Sequence, residues 1–286
     1  DPVPQEGEVI VDIKAAALNH RDVFITQGLY PGIQFPIILG SDGAGLVGDR
    51  EVVLNPSIGW GDDPDRQAKG YHILGLPKNG TLAEKLTISE KQVYDKPPHL
   101  NWEQTAALPL AGLTAYRALF TKGQLRSGEN VLISGIGGGV ALFAFQFALA
   151  AGAQVWVTSS SEEKIQEAVA MGASGGVNYK KEKFEKELSQ DSGGFDVVID
   201  SAGGDGFARL VKTCRPAARV VTYGGTQGYI NKLSPQIIFW KQLSIRGTSM
   251  GTGREFAAML DFVTKHKMVP VVDSVFSLAE GPAAFE

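Results

Sequence analysis

The chain has 286 residues, enough for one large domain or two ordinary ones. Hydrophobic residues make up 43% of it and charged residues 20%, a balance typical of a globular protein with a sizeable core. A net charge of -4 provides no attraction to nucleic acid or acidic lipid, which argues against proteins that bind either. No apolar run is long enough to span a membrane, and the single cysteine excludes an intrachain disulfide and a cysteine zinc cluster. A reducing, cytoplasmic location is the default expectation.

The first third of the chain is predicted to be a β-rich domain with irregular loops. Alternating apolar and polar residues predict a strand over residues 8–17, followed by a short helix from about His20 to Gly28. A stretch dense in glycine, proline and aspartate predicts a loop over residues 55–80. Further strands are predicted over residues 37–47, 50–54 and 81–88.

The rest of the chain alternates apolar runs with helical segments, after a helical stretch over residues 102–119. Strands are predicted over residues 131–134, 154–158, 176–179, 196–200, 219–223 and 243–247. Helices are predicted near residues 139–151, 162–171, 182–190, 205–213, 235–241 and 254–266. This alternation predicts an α/β fold with a doubly wound parallel sheet.

Two domains follow from this pattern. Residues 271–278 are predicted to return to β-structure and to complete the first domain. The predicted first domain therefore comprises residues 1–108 and 269–286, and the predicted dinucleotide-binding domain comprises residues 109–268.

A glycine-rich turn lies between a buried strand and a helix in the segment 130–151, NVLISGIGGGVALFAFQFALAA. Gly135 permits a tight turn, and Gly138 lets the backbone approach a phosphate without a Cβ in the way. Gly139 and Val140 open the helix, whose first N–H groups face outward. A glycine cluster alone also fits a purely structural turn. With the strand and the helix on either side, the pattern favours a site for the pyrophosphate of a dinucleotide.

The end of the second strand of the parallel sheet indicates which dinucleotide is bound. An NAD-binding protein usually carries an acidic residue there, but this chain carries hydroxyl residues, among them Ser159 and Ser160. Small hydroxyl side chains leave room for a 2′-phosphate, and Lys164 lies one helical turn further. These residues favour NADPH over NADH.

Two features near this position are ambiguous. Glu162 and Glu163 argue against a phosphate, but they are also typical first-turn residues of a helix that begins with a serine cap. Tyr179, at the end of the third strand of the sheet, fits either a residue beside the adenosine or a half-buried strand aromatic.

Several segments together resemble the medium-chain dehydrogenase/reductase superfamily, and most of all its quinone-oxidoreductase-like branch. They include AALNHRDVFITQGLYP, PIILGSDGAG, LPLAGLTAYRAL, GASGGVNY, FDVVIDSAGG and FWKQLSIRGTSMG. The resemblance implies a GroES-like catalytic domain followed by a Rossmann domain. It also implies a homodimer that pairs through the edge strand at residues 243–247.

The resemblance assigns roles to residues at the cofactor site. It implies that Lys164, Tyr179 and a serine such as Ser160 hold the 2′-phosphate. It also implies that Thr114 and the segment Tyr223, Gly224 and Gly225 approach the nicotinamide.

A catalytic zinc is not expected. Where zinc-dependent members carry a cysteine and a His-Glu pair, this chain has Asn19 and Ser41-Asp42, and the second expected cysteine is absent near residues 110–111. His20 and His72 are the remaining donors near these positions, and such histidines more often serve as hydrogen-bonding residues.

The connection at Val47-Gly48 permits two interpretations. Taken alone, it fits a two-residue hairpin with Gly48 in a primed turn. Compared with the family, which has a longer connection there and extends further at both ends, it resembles two segments joined across missing residues, and this second interpretation is favoured.

Asn19 and Tyr30 are the candidate catalytic residues, as donors to a carbonyl oxygen. Asn19 also fits a helix N-cap, and Tyr30 also fits a turn aromatic beside proline. Asp22 is expected to be exposed and to support the loop. We expect hydride transfer from NADPH to a quinone or an α,β-unsaturated carbonyl without zinc. The alternatives are an alcohol dehydrogenase or aldehyde reductase, and a non-catalytic NADPH-binding protein.

Overall fold

The computed structural model describes residues 2–286. Its strands, numbered along the chain, are β1 (Glu8–Ala17), β2 (Asp42–Val47), β3 (Arg50–Leu54), β4 (Ser57–Ile58), β5 (His72–Ile73), β6 (Lys85–Ser89), β7 (Val93–Asp95), β8 (Asn130–Ile133), β9 (Gln154–Ser159), β10 (Gly175–Asn178), β11 (Phe195–Asp200), β12 (Cys214–Thr222) and β13 (Ser244–Gly247). The α-helices are α1 (His20–Thr26), α2 (Trp102–Ala106), α3 (Pro109–Tyr116), α4 (Gly139–Ala150), α5 (Glu162–Ala170), α6 (Phe184–Ser192), α7 (Gly204–Lys212), α8 (Pro235–Trp240), α9 (Gly253–Lys265) and α10 (Gly281–Ala284).

The backbone forms two compact units. The first contains the residues up to Leu113 together with Met250–Glu286, and the second contains Thr114–Ser249. Helix α9 belongs to the first unit, where the ring of Phe256 meets Tyr94 edge-on at 4.9 Å between centroids. The predicted domains instead divide the chain after residues 108 and 268, and that division stays a prediction.

An antiparallel sheet forms the first unit, with strand order β6-β1-β2-β3-β7. Alternate side chains of these strands meet in one apolar cluster, which contains Val11, Val52, Leu54, Leu86 and Ile88. This arrangement follows from the period-2 alternation of the sequence, because every second residue of a strand points to the same face. The predicted β-rich character of this part is confirmed.

A parallel sheet of six strands forms the second unit, in the order β10-β9-β8-β11-β12-β13. The continuous apolar runs of β8, β9 and β11 are buried, as expected for parallel strands that are covered on both faces. Helices alternate with these strands along the chain. The predicted doubly wound sheet is therefore confirmed, with its switch point between β8 and β11.

Three predictions in the first unit need correction. Residues 271–278 form no strand, since no ladder pairs them within the described chain, and a short 3-10 helix begins at Leu278. The strand predicted over 81–88 begins only at Lys85, and the one predicted over 37–47 begins only at Asp42.

The helix predicted over residues 102–119 is not continuous. Pro109 lacks the N–H group that would continue α2, so it begins the separate helix α3. A π-helical stretch over Arg117–Lys122 follows α3.

The connection between β2 and β3 is a two-residue hairpin. Val47 pairs with Arg50, and Gly48 adopts a φ of +59°. This is the primed-turn geometry that the sequence taken alone permits.

No helix within residues 2–286 is both long and apolar enough to cross a membrane.

Gly40 lies two residues before β2, which begins at Asp42, and its conformation requires glycine. Its φ is +95°, and a Cβ there would lie 2.9 Å from the backbone nitrogen of Leu82. The close crossing of these two segments therefore sets the position at which β2 begins.

Replacing Gly40 by alanine is expected to destabilise the protein more than the same change at Gly48. Gly48→Ala introduces only the strain of a positive φ, about 1 kcal/mol, because no atom lies within 4 Å of its added methyl group. Gly40→Ala adds a backbone clash and should cost about 2–4 kcal/mol. Thermal unfolding of both variants measures the difference in stability, and equal losses of stability would contradict the close crossing at Gly40.

Candidate functional site

The glycine turn between β8 and α4 has the geometry predicted from the sequence. Gly135 adopts a φ of +67°, and Gly138 occupies the N-cap position of α4 without a capping side chain. The turn is held by the second strand, since the Gly135 N–H donates to Thr158 Oγ1 at 3.3 Å and the Ile136 N–H donates to the Thr158 carbonyl at 3.0 Å. The N–H groups at Gly139 and Val140 begin α4 and have no intrahelical acceptor, which suits a bound phosphate.

A buried carboxylate, Asp200, lies at the carboxyl end of β11 beside this turn. It is 1% exposed, and it accepts hydrogen bonds from Ser134 Oγ at 2.7 Å and from the Gly203 N–H at 2.8 Å. Asp200 thus joins the residue that precedes Gly135 to the loop that follows β11. The sequence interpretation did not single out Asp200, although an aspartate that ends a buried apolar strand is a visible signal.

Tyr223 follows β12 at the same edge of the sheet. Its N–H donates to the Asp200 carbonyl at 3.0 Å, and its phenol hydrogen-bonds to Ser201. Burial raises the pKa of Tyr223 to about 12, with a further increase from Asp200 that the bond to Ser201 opposes. The hydroxyl therefore stays protonated at neutral pH, and Gly224 and Gly225 lie exposed beside it.

Thr114 lies on α3, where it is 5% exposed. All four residues predicted to approach the nicotinamide belong to the second unit: Thr114, Tyr223, Gly224 and Gly225.

The residues predicted to hold the 2′-phosphate come together after β9 and β10. The Tyr179 N–H donates to the Ser159 carbonyl at 3.0 Å, and Asn178 Nδ2 donates to the Ser160 carbonyl at 3.1 Å. Lys164 bends back over the glycine turn, so that a methyl group at Gly137 would lie 2.9 Å from its Nζ. An ammonium group therefore lies beside the turn that is suited to bind phosphate.

The structure shows the surroundings of the two ambiguous features at this end of the sheet. Ser161 is the N-cap of α5 and its Oγ accepts from the Lys164 N–H at 3.3 Å, so Glu162 and Glu163 are exposed first-turn acids, as one interpretation has it. Tyr179 is 42% exposed and follows β10, so its ring stands at the surface at the end of the strand. Ser159 is 5% exposed, and its Oγ accepts from the Ser161 N–H at 3.1 Å.

Asn19 takes the helix N-cap position that the sequence permits, and its side chain contacts β2. It occupies the N-cap position of α1, and its backbone N–H donates to Asp22 Oδ2 at 2.9 Å. Its side-chain Nδ2 donates to Asp42 Oδ2 at 3.0 Å. The Asn19 amide is therefore fixed by β2 rather than being a free donor on a loop.

Asp42 is 1% exposed and accepts a second hydrogen bond, from the Leu110 N–H to Oδ1 at 2.9 Å. Burial raises the pKa of Asp42 to about 8, and Asp22 contributes to the increase. The hydrogen bonds from Asn19 and Leu110 and the charge of Arg21 oppose that increase.

Asp22 is 0% exposed, so the expectation of an exposed carboxylate is wrong. Helix α1 packs against the segment before β2, which places Asp22 where its Oδ1 accepts from the Gly40 N–H at 3.3 Å. Burial raises the pKa of Asp22, although its backbone hydrogen bonds and Arg21 counteract the increase. These two bonds, to Asn19 and Gly40, still give Asp22 the supporting role that the sequence predicts.

Tyr30 lies against Arg21. The guanidinium carbon of Arg21 is 5.0 Å from the centroid of the Tyr30 ring, within the range of a cation–π interaction. Arg21 is 8% exposed, and its Nη1 donates to Ser41 Oγ at 2.6 Å and to the Leu74 carbonyl at 2.8 Å.

The residues at the family's zinc-ligand positions do not fit zinc. Ser41 Oγ is held between Arg21 and the Leu74 carbonyl, and both oxygens of Asp42 accept N–H groups. The buried guanidinium of Arg21 supplies the positive charge in this cluster, and a divalent ion beside it would be repelled. Within residues 2–286, no three His, Cys, Asp or Glu side chains lie together as a metal site would require.

Comparison with known proteins places the chain among dehydrogenases. Residues 5–98 match the family model described as alcohol dehydrogenase GroES-like domain, and residues 139–265 match the model described as zinc-binding dehydrogenase. The chain is 36% identical to the zinc-type alcohol dehydrogenase-like protein YogA of Leptosphaeria maculans, over 95% of this chain and 83% of that protein.

Solved structures give the same picture. A structure described as an NAD-dependent alcohol dehydrogenase superimposes with a TM-score of 0.88 and 36% identity, covering 94% of this chain and 84% of that one. The quinone oxidoreductase from Thermus thermophilus, which was also solved in complex with NADPH, gives a TM-score of 0.82 and 27% identity, covering 99% of this chain and 88% of that one.

Asp200→Ala is expected to lower both stability and dinucleotide affinity. Ser134 Oγ and the Gly203 N–H would lose their acceptor, at a cost of about 2–4 kcal/mol, and the start of the glycine turn would lose its support. Thermal unfolding and fluorescence titration with NADPH measure the two effects. Asp205→Ala, at a side chain that is 64% exposed, is the matched control and should change stability by less than about 1 kcal/mol. Equal effects of the two substitutions would contradict this role of Asp200.

Proposed function

Since the chain belongs to the medium-chain dehydrogenase/reductase superfamily, we propose that it transfers hydride from NADPH to a quinone or an α,β-unsaturated carbonyl, without catalytic zinc. The observation that carries this proposal is that the residues at the family's zinc-ligand positions are hydrogen-bonded, Asn19 to Asp42 and Ser41 to Arg21. It provides hydrogen-bond donors where zinc-dependent relatives provide a Lewis acid.

The acceptor class follows from this donor set. Hydride addition to an aldehyde leaves a strongly basic alkoxide, which a Lewis acid such as zinc stabilises well. Hydride addition to a quinone or an enone spreads the negative charge over a conjugated system that ends in an oxygen. A hydrogen-bond donor can stabilise that weaker base. The site chemistry therefore favours the conjugated acceptor.

NADPH is the proposed hydride donor because of the residues after β9. This strand ends without a carboxylate that would bind a ribose hydroxyl, and the Lys164 ammonium lies beside the glycine turn. Ser160 is exposed beside Tyr179, so both can meet a 2′-phosphate. The NADPH complex of the Thermus thermophilus relative supports the same choice.

At the other end of the cofactor, Thr114, Tyr223, Gly224 and Gly225 are proposed to contact the nicotinamide. The protonated phenol of Tyr223 is held by Ser201, so the segment after β12 has a fixed conformation. Exposed glycines there allow a flat ring to approach the backbone closely.

Asn19 and Tyr30 are proposed to act on the acceptor. The Asn19 amide donates an N–H to the acceptor oxygen, where negative charge grows as hydride arrives at the conjugated carbon. Tyr30 delivers the proton from its hydroxyl, directly or through water, and Arg21 against its ring holds the side chain in place.

A second copy of the chain is the proposed partner. Strand β13 is the edge of the parallel sheet, and exposed apolar side chains lie on it and shortly before it: Phe239, Trp240 and Ile245. Strand pairing across a two-fold axis would extend the sheet and cover these residues.

One alternative function has a specific observation in its favour, namely the similarity to an NAD-dependent alcohol dehydrogenase. On that alternative the protein reduces aldehydes with NADH. A protein that binds NADPH without turnover is the other alternative.

NADPH oxidation in chelator-treated buffer, with one quinone, one enone and one aldehyde as acceptors, tests the proposed activity. We expect turnover with the quinone or the enone, and a fall of kcat/KM on the order of 100-fold in Asn19→Ala and in Tyr30→Phe. Thr26→Ala, at an exposed position of α1, is the control and should retain full activity. Aldehyde-only turnover, loss of activity on chelation, or full activity in both variants would overturn the proposal.

Lys164→Ala tests the cofactor assignment. Removing a charge-assisted hydrogen bond of roughly 1.5–3 kcal/mol should raise the Kd for NADPH about tenfold or more, and should change the Kd for NADH far less. Lys183→Ala, at a side chain that is 66% exposed, is the control for a general loss of positive charge. If NADH and NADPH weaken equally in Lys164→Ala, the 2′-phosphate assignment is wrong.

A further inference from the structure

A single buried carboxyl group links the N-cap of α1 to the first turn of α3. Asp42 Oδ2 accepts from the Asn19 side chain at 3.0 Å, and Asp42 Oδ1 accepts from the Leu110 N–H at 2.9 Å. Asp42 itself is 1% exposed. A change in the protonation state of Asp42 therefore acts on its hydrogen bonds to Asn19 and to α3.

The Asn19 amide has two different ends, so its orientation matters. An ionised Asp42 only accepts, and it holds the Asn19 Nδ2 as in this structure. A protonated Asp42 has an O–H on Oδ2 that needs an acceptor, and the Asn19 Oδ1 becomes that acceptor when the amide turns about its last torsion. In the second arrangement both N–H groups of Asn19 point away from Asp42.

We propose that Asp42 is a positioning residue, which sets through its hydrogen bond to Asn19 how many amide N–H groups Asn19 offers to the acceptor oxygen. With Asp42 protonated, neither N–H group of Asn19 is retained by Asp42, and the whole Nδ2 group faces away from it. With Asp42 ionised, one of the two is retained by Asp42. This inference rests on the proposed role of Asn19 in the reaction.

Burial is the main reason that Asp42 can be protonated near neutral pH, and the charged groups around it have smaller, opposing effects. Asp22 repels the ionised form and Arg21 favours it, and both lie on α1. Strand β1 pairs with Asp42 through Ala17, and α3 faces it through the Leu110 amide. Helix α2 packs on β1 and β2, and Glu103 is its ionisable residue.

The direction of the pH effect follows from the raised pKa of Asp42, which burial brings to about 8. Below that value Asp42 is protonated and Asn19 offers both N–H groups, so kcat/KM is at its upper level. Above that value ionisation removes one donor, so kcat/KM declines and levels off about tenfold lower, as expected for one lost hydrogen bond to a charged oxygen.

Asp42→Asn tests the inference directly. In this variant the new amide oxygen still accepts from the Leu110 N–H, and the new amide N–H donates permanently to the Asn19 Oδ1. With a non-ionisable enone as acceptor, kcat/KM of D42N should be flat between about pH 6 and 9.5, whereas the wild-type value declines around a pKa of about 8. A D42N profile that still declines there overturns the inference.

Two controls separate the possible causes. Glu103→Gln removes the ionisable residue of α2 and should keep the wild-type decline of kcat/KM with pH. If the decline is lost in this variant, the assignment to Asp42 is overturned. Asn19→Ala should have a lower kcat/KM at neutral pH and no decline around the pKa of Asp42. Wild-type kcat/KM in N19A would refute the proposed role of Asn19, whereas a lowered value combined with a declining D42N profile would refute only the inference about Asp42.

A measurement on the wild-type protein covers the case in which D42N does not fold. Infrared difference spectra between about pH 7 and 9.5 should show the loss of a protonated carboxyl band over the same pH range as the decline in kcat/KM. Absence of that band at neutral pH would overturn the inference without any variant.

Discussion

A carboxyl group that leaves water must be given hydrogen-bond donors, and both units of this chain contain such a group beside their candidate sites. Asp42 receives an amide N–H from Asn19 and a backbone N–H from Leu110. Asp200 receives a hydroxyl from Ser134 and a backbone N–H from Gly203. In both units one donor is a side chain in or next to the candidate site, and the other is a backbone group of a neighbouring segment.

This arrangement explains how short, irregular segments are held with fixed geometry. The glycine turn after β8 has no polar side chains of its own with which to anchor itself. It is supported by Thr158 from β9, and by Asp200 from β11 through Ser134. Helix α3 begins with Pro109, and the carboxyl of Asp42 in β2 accepts an N–H group of its first turn as a capping residue would. Secondary structure that is distant in sequence therefore completes each local element.

The parallel sheet could be predicted from the sequence because strands buried on both faces form continuous apolar runs with helical segments between them. The serine cap of α5 was likewise visible, since Ser161 and the acids that follow it are a local signal. Residues 271–278 show where local pattern fails. Their alternating apolar residues are compatible with a strand, but a strand also needs a neighbour to pair with, and no local pattern records that neighbour.

The candidate site in the first unit was less predictable for the same reason. Asn19 and Tyr30 can be proposed from the sequence as hydrogen-bond donors, but the burial of Asp22 and the contacts of Asp42 depend on how α1 packs against the segment before β2. Exposure is a tertiary property, so a carboxylate in a polar segment gives no sign of being buried. The contact between Arg21 and Tyr30 joins residues that no helical or strand period relates.

The position of Ser160 and Lys164 has an evolutionary consequence. Both side chains are exposed, while the hydrogen bonds that hold this end of the sheet use the Ser160 carbonyl, the Lys164 N–H and the Ser161 hydroxyl. Backbone groups are retained whatever side chain is present. Substitutions at positions 160 and 164 can therefore accumulate with little effect on folding, and under the proposed 2′-phosphate assignment they would change nucleotide preference while the scaffold beneath is maintained.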